Sequence, residues 1–556
     1  MNIGSLRKPS RLTVLTYLSF ALLAVVTLYC AWYANYYQSG NSDDIVYPYL
    51  FQHFHAHDII LPGQHANLLK FPIFILQAIL PYTFTTFSIA NIGLVLAAIL
   101  GWAVLLVWLF GRRYAPLICL SLASVLLGSR ILNYDLVGTT IRNIEFPIVL
   151  AFIIFTGTLL QRQALSRRKL LIGGVTGLLF SLTAAGDSFF IYTVCSSLLL
   201  VLAFYWLAGE QTAKLREQYG RAAAYAVGFS VLAFVIRFTV SLLGIAKYYT
   251  AGVFKPHILP INHLAPSVST ATTQVLNLFD GNIFGLAIRP GNSLVFLNFL
   301  LLLAGLVGLV YMLRDSLGAA GRPALFKRLN FARIFSLAVI SLTFFVTYIA
   351  YIAADLVVMP DANGNIVSFN QERYLAIAPF LLVAGIVYFI WCRFDLLRPI
   401  FVGVPVIILL GLLINSPVIK RNHIYDGSMR AGPMAVAQAA QTNHVRLLVT
   451  GYWYGSSTRF WSHGQIMFAG IANCNIPSPT FNNRLSWYKP DPAVHKSALV
   501  VSRAGPDAQS WVCSDAQLTS IYGVPVKVAP VRGNGGQTSL WIYDYDVRSN
   551  LSPLVL

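Results

Sequence analysis

The sequence predicts a polytopic α-helical membrane body followed by an extracytoplasmic mixed α/β domain at the C-terminus. Three observations lead there. Hydrophobic residues make up 57% of the chain against 11% charged, and the mean hydropathy of +0.66 is too apolar for one water-soluble globule. Apolar runs long enough to cross a bilayer recur through the first three quarters of the chain. Lys and Arg alternate between rich and poor loops, the pattern that sets membrane orientation.

The apolar runs number about eleven, at 12–34, 87–110, 115–130, 144–160, 170–185, 189–208, 222–244, 294–313, 334–353, 374–392 and 399–415. The first follows Arg7, Lys8 and Arg11, exceeds a signal-peptide core in length and lacks a small-residue cleavage site, so it is expected to remain as an anchor. With the N-terminus inside, the inside segments up to residue 419 carry nineteen Lys and Arg and the outside segments seven. Basic loops resist translocation, so this orientation is the expected one, and an odd number of spans leaves the C-terminal segment outside.

The net charge of +19 then reads as a topology signal that needs no nucleic acid to explain it. All ten histidines and sixteen of the twenty acidic residues fall in or beside outside segments, so chemistry is expected on that side. Cys30, Cys119, Cys195 and Cys392 lie in apolar spans, where a lone thiol acts as a small hydrophobe. Cys474 and Cys513 form the one pair in the outside segment, and a disulfide is expected there.

Two parts follow: a membrane body at 1–419 and a soluble domain at 420–556. The latter has short β-branched and aromatic runs at Val445 to Val449, Ala498 to Ser502, Val524 to Val528 and Ser539 to Tyr543, and helical spacing over Met429 to Gln441. Its aromatic residues Tyr452, Trp453, Tyr454, Trp461, Trp487 and Tyr488 could stack on sugars, although core packing is the commoner role for such side chains.

The first outside segment, 35–86, carries the densest set of reactive residues. Asp43 and Asp44 sit just beyond the first span in Ser42-Asp43-Asp44-Ile45. Tyr47, Tyr49, Phe51 and Phe54 then interleave with His53, His55, His57 and Asp58, a pattern that predicts a juxtamembrane helix lying in the interface. On a helix the three histidines would spread apart, which disfavours a zinc site. The apolar stretch 71–82 would reverse every later loop if it spanned, so it is read as interfacial or re-entrant.

In these features the chain resembles the GT-C superfamily of polyprenyl-phosphate-dependent glycosyltransferases, the group of the lipid A aminoarabinose transferase and the protein mannosyltransferases. The resemblance rests on the acid pair after the first span, the juxtamembrane segment, Lys70-Phe71-Pro72 where relatives carry Lys-Pro-Pro, the long outside loops and the outside C-terminal domain. It implies a donor sugar on a polyprenyl phosphate, a glycan, lipid or protein acceptor, and work at the outer face of a bacterial inner membrane. It also implies that Asp44 or Asp43 serves as general base, and that Lys70, Arg142 and Arg373 hold the phosphate leaving group. Transfer to a hydroxyl needs a proton acceptor, and a departing phosphate needs cations. Some relatives use a divalent cation and others do without, so a metal is left open.

In the second outside loop, Asp135 precedes Arg142-Asn143-Ile144-Glu145 at a span mouth, and an acid entering the apolar region tends to be functional. Both Asp135 and Glu145 are therefore candidate substrate contacts. Asp187 lies in Gly186-Asp187-Ser188, where turn formation is the default role. The 245–293 loop is expected to be ordered over a cavity. Two other functions are weighed against a glycosyltransferase. An O-antigen-type polymerase or ligase would use more outside arginines. A transporter would place charges in several spans, whereas Arg237 is the one mid-span charge.

Overall fold

The computed structural model describes residues 10–38, 47–51, 55–62, 68–70, 75, 79, 83–128, 143–161, 166–208, 213–245, 247–249, 258–319, 331–354, 358–360, 366–368, 372–393, 406, 428–478, 483–503, 513–531 and 538–554. Apolar helices occupy ten of the eleven stretches expected as spans: α1 (Arg11–Gln38), α3 (Phe84–Phe110), α4 (Ala115–Gly128), α5 (Glu145–Leu159), α6 (Arg167–Gly186), α7 (Ser196–Ala208), α8 (Ala213–Leu242), α10 (Ser293–Ala319), α11 (Phe331–Ala353) and α12 (Ala378–Arg393). The eleventh, 399–415, lies outside the described residues apart from Val406. Among the described residues, seven helical stretches are long and apolar enough to cross a membrane by themselves, and Glu145–Leu159 and Ala378–Ile390 are shorter apolar helices. The chain is thus a polytopic membrane protein with a strand-containing C-terminal region.

The spans pack α1 against α3 and α4, α5 against α6 and α11, α6 against α8, and α10 against α12. In lipid the hydrophobic effect does not drive helix against helix, so close approach depends on small residues. The α10–α12 contact shows this directly. A Cβ at Gly308 would fall 1.9 Å from the Gly385 carbonyl oxygen, and one at Gly385 would fall 2.2 Å from that of Gly305. The two backbones touch where no side chain intervenes.

Extended segments between the helices pair with one another. Among the described residues of the histidine-rich stretch, Tyr47–Phe51 form the helix α2, and His55 to Asp58 form a turn, with His57 at φ 64°, that leads into β1 (Ile59–Pro62). The expected interfacial helix therefore ends early. The reason is a remote partner: β1 pairs in parallel with β2 (Lys247–Tyr249) and antiparallel with β8 (Asn483–Arg484), a three-stranded sheet made of three distant segments. The stretch 71–82 lies outside the described residues except for Ile75 and Ile79. Amphipathic α9 (Leu264–Leu278) packs on α11, and β3 (Val358–Pro360) pairs with β4 (Ile366–Ser368).

The C-terminal region forms a six-stranded sheet in the order β10-β11-β9-β5-β6-β7. Its strands are β5 (Leu447–Gly451), β6 (Met467–Asn473), β7 (Ile476–Pro477), β9 (Ser497–Ser502), β10 (Lys527–Pro530) and β11 (Thr538–Tyr543). β5 runs parallel to both β6 and β9, so its two faces need cover, and it is buried along its whole length. α13 (Ser428–Thr442), α14 (Tyr452–Trp461) and α15 (Asp515–Tyr522) flank the strands in sequence. Cys474 and Cys513 are joined in a disulfide with their Cα atoms 5.6 Å apart.

Gly308→Ala and Gly385→Ala should each destabilise the membrane body by about 1–3 kcal/mol through overpacking. Gly174→Ala and Gly228→Ala, where an added Cβ meets nothing within 4 Å, should not. Thermal unfolding of the detergent-solubilised protein separates the two pairs.

Candidate functional site

Lys70 ends a 3-10 turn, Leu68–Lys70, that packs on α6. Glu145 is the first residue of α5. Their side chains meet with Nζ 3.1 Å from Oε1, at 0% and 5% exposure. Removing two charges from water costs several kcal/mol per ion, so such a pair persists only with good geometry and further hydrogen bonds. Glu145 has both aids. Its carboxylate lies at a helix N-terminus, where the helix dipole favours an anion, and its Oε2 accepts a 2.8 Å hydrogen bond from the Asn143 backbone N–H. Asn143, fully buried, turns its own Oδ1 onto the Ile144 N–H at 2.6 Å. Lys70 is less satisfied: apart from the ion pair, its Nζ makes no hydrogen bond of regular geometry among the described residues. A buried ammonium with unused donors favours an anion.

Aromatic contacts draw three further segments to this point. Phe146 lies 6.4 Å from Phe190 and 5.4 Å from Phe380, between ring centroids, and Phe380 lies 5.6 Å from Trp102. Phe189 meets Tyr374 edge-on at 5.4 Å. The start of α5, the turn after α6 and the 3-10 turn Glu372–Leu375 therefore share one mouth. Asp187 builds the second of these: its N–H donates to the Thr183 carbonyl at 2.9 Å and its Oδ1 accepts from the Phe189 N–H at 3.1 Å. A π-helical turn, Ile191–Cys195, follows and opens α7.

A second polar centre joins the segment between α1 and α3 to the C-terminal region. Asp58 Oδ2 accepts from Arg484 Nε at 2.6 Å and from Ser486 Oγ at 2.7 Å, while Oδ1 accepts from the Ser486 N–H at 2.7 Å. The Asp58 carbonyl takes the Leu485 N–H at 2.8 Å. Burial pushes the Asp58 pKa up, but the Ser486 hydrogen bonds and Arg484 outweigh it and hold the carboxyl below its ordinary value. Beside it, buried Arg459 lies between the rings of Tyr49, 4.7 Å to the centroid, and Trp487, 5.0 Å. Burial draws the Arg459 guanidinium down to about 10, against an opposing effect of Tyr49 and with a smaller further lowering from Arg484. Phe460 next to it reaches Phe87 on α3, with centroids 5.8 Å apart.

Of the site residues expected from sequence, Lys70 and Glu145 are brought together. Asp43, Asp44, Asp135 and Arg142 lie outside the described residues. Arg373 has its backbone in the Glu372–Leu375 turn, and its side chain lies outside them. No group of three or more His, Cys, Asp or Glu placed to hold a metal occurs among the described residues. Sequence reasoning missed Arg459 and the Asp58–Arg484 pair. No local signal marks them, because both depend on chain segments more than 400 residues apart. Tyr452, Tyr454, Trp487 and Tyr488 are buried, so packing is their role in this state. A cavity of about 450 Å³ opens beside Tyr488, Lys489 and Arg548, but Arg548 is already neutralised by Asp546 at 2.7 Å.

No family profile and no curated protein matches the sequence. Among solved structures, the chain is similar to the oligosaccharyltransferase of Archaeoglobus fulgidus, crystallised in complex with zinc and sulfate. The identity is 11%, the TM-score 0.39, and the match covers 80% of this chain and 61% of that one. The chain thus spans about three fifths of that protein's length.

Glu145→Gln strands the Lys70 charge and should cost roughly 3–5 kcal/mol, whereas Lys70→Met with Glu145→Leu should recover most of the loss. Chemical unfolding in detergent measures both. The Asp58 contribution should be complete above pH 3.8, its ordinary pKa, and vanish as pH falls through the lower folded value. Hydrogen exchange at Asn483 to Ser486 should rise over that acid range in the unsubstituted chain. In Asp58→Asn it should already be raised at neutral pH.

Proposed function

We propose that the protein is a membrane glycosyltransferase of the GT-C type, moving a sugar from a polyprenyl-phosphate donor to a hydroxyl of a glycan, lipid or protein. The reaction takes place on the membrane face that bears the α/β region, which the basic-loop pattern assigns to the outside of a bacterial inner membrane. The observation that carries the reading is the buried Lys70–Glu145 pair, whose ammonium makes no further hydrogen bond among the described residues. Arg142 directly precedes Asn143, which bonds to Glu145, and Arg373 directly precedes Tyr374, whose ring rests on Phe189. Three cations supplied by Lys70 and by the residues that precede Asn143 and Tyr374 would fit a departing phosphate.

In this reaction the acceptor oxygen attacks the anomeric carbon, and Asp44 or Asp43 takes the hydroxyl proton. The bond from the anomeric carbon to the phosphate oxygen breaks, and its electron pair leaves with the phosphate, where Lys70, Arg142 and Arg373 balance the growing charge. Attack opposite the leaving group inverts the centre. Glu145 is a positioning residue for Lys70, and Asp135 lies in the loop that would face the acceptor.

The reading is tested by sugar transfer from a panel of polyprenyl-phosphate sugars to native acceptors, using membranes matched for expression. One of Asp43→Asn and Asp44→Asn should lose about 10²–10⁴-fold in rate. Lys70→Met should lose a further cation's worth, about 10²–10³-fold, while Lys70→Arg keeps part of the activity. Full transfer by both Asp variants would remove the proposed base.

A further inference from the structure

The segment between α8 and α10 carries two apolar tips that no part of the described chain covers. One is formed by Ile258 and Ile261, at 89% and 87% exposure; the other by Phe284, Leu286 and Ile288, the last at 90%. Neither is a frayed end. Ile258 bridges to Ala354, and the Leu259 N–H donates to the Ala353 carbonyl at 2.9 Å, which fixes the first tip to the end of α11. The second is closed by its own bonds: Leu286 N–H to the Ile283 carbonyl, 3.1 Å, and Asn292 Nδ2 to the Ala287 carbonyl, 2.8 Å, with Gly285 at φ 78° making the reversal. α9 between them turns its apolar side, including Ala271 and Val275, inward. The outward apolar residues are therefore presented by an ordered frame.

Their height relative to the bilayer follows from the chain. Phe284 to Arg289 run without a gap into the membrane-crossing stretch Pro290–Gly318, and Ile258 is pinned to the last turn of Phe331–Ala353. Both tips thus lie at the ends of two spans on the same membrane face. The sequence from Gly281 to Ser293 holds no acidic residue, and its one charge, Arg289, is exposed beside Ile288. Large apolar side chains next to a cation at a span mouth match an interfacial element, with the apolar part among the acyl chains and the cation at the phosphates.

We propose that these two tips insert into the bilayer as a monotopic apron around the mouth of the helix bundle, with Arg289 at the level of anionic headgroups. The partner is the lipid surface itself, and the inference does not depend on the reaction assigned above.

Phe284→Cys, Ile288→Cys and Ile261→Cys, each labelled with an environment-sensitive fluorophore, test this in the full chain. The protein is held in nanodiscs of phosphatidylcholine and phosphatidylglycerol. Val524→Cys, at an exposed position of the α/β region, is the reference, and the labelled unsubstituted chain is the blank. Each tip probe should be quenched at least about twofold more by a lipid-borne doxyl group than by aqueous iodide, with the reverse at 524. Iodide quenching at the tips equal to that at 524 overturns the proposal. So does protection from both quenchers, which would mean that protein, a second copy of the chain or another partner, covers them.

Discussion

Burying the Lys70–Glu145 pair constrains the structure around it. Two charges held out of water in an apolar body are tolerable only if the partners stay in register. That requirement links the 3-10 turn Leu68–Lys70 to the N-terminus of α5, through a helix dipole and the Asn143 amide. The rings of Phe146, Phe190 and Phe380 keep the neighbourhood dry and bring in the turn after α6 and the start of α12. Folding thus fixes the position of the Lys70 cation.

The face around that mouth is held by backbone pairing. β1, β2 and β8 come from the first outside segment, the segment after α8 and the C-terminal region. Asp58 fastens the same junction by accepting from Arg484 and Ser486. Extended strands cannot face lipid, since their edges would leave polar groups unsatisfied, so the sheet belongs at the water-exposed end of the bundle. The α/β region is therefore tied to the first outside segment by hydrogen bonds, an ion pair and the Tyr49–Arg459–Trp487 stack.

Within the body, proximity rather than hydrophobicity selects partners. Gly305, Gly308 and Gly385 let α10 and α12 touch backbone to backbone. Ser181 adds a hydrogen bond from its Oγ to the Phe229 carbonyl at 2.7 Å, which joins α6 to α8. Glycine and serine are ordinary in composition, and their value here lies in what stands opposite them.

The sequence by itself determined the class, because apolar runs of bilayer length and the basic-loop bias act locally and need no partner. It placed ten of the apolar helices and, in the C-terminal region, the runs that become β5, β9, β10 and β11 but not β6, β7 or β8, since span length and β-branched runs between turns are readable from neighbouring residues. It also singled out Lys70, through the Lys70-Phe71-Pro72 element of the family resemblance, and Glu145, as an acid entering an apolar stretch. Only the tertiary structure decided that these two are partners, that the histidine-rich segment leaves its helix for β1, and that Arg459 is buried between two rings. The reason is the same each time: a charge–charge distance, a strand's partner and a cation's burial are set by segments far away in the chain, and no local pattern encodes them.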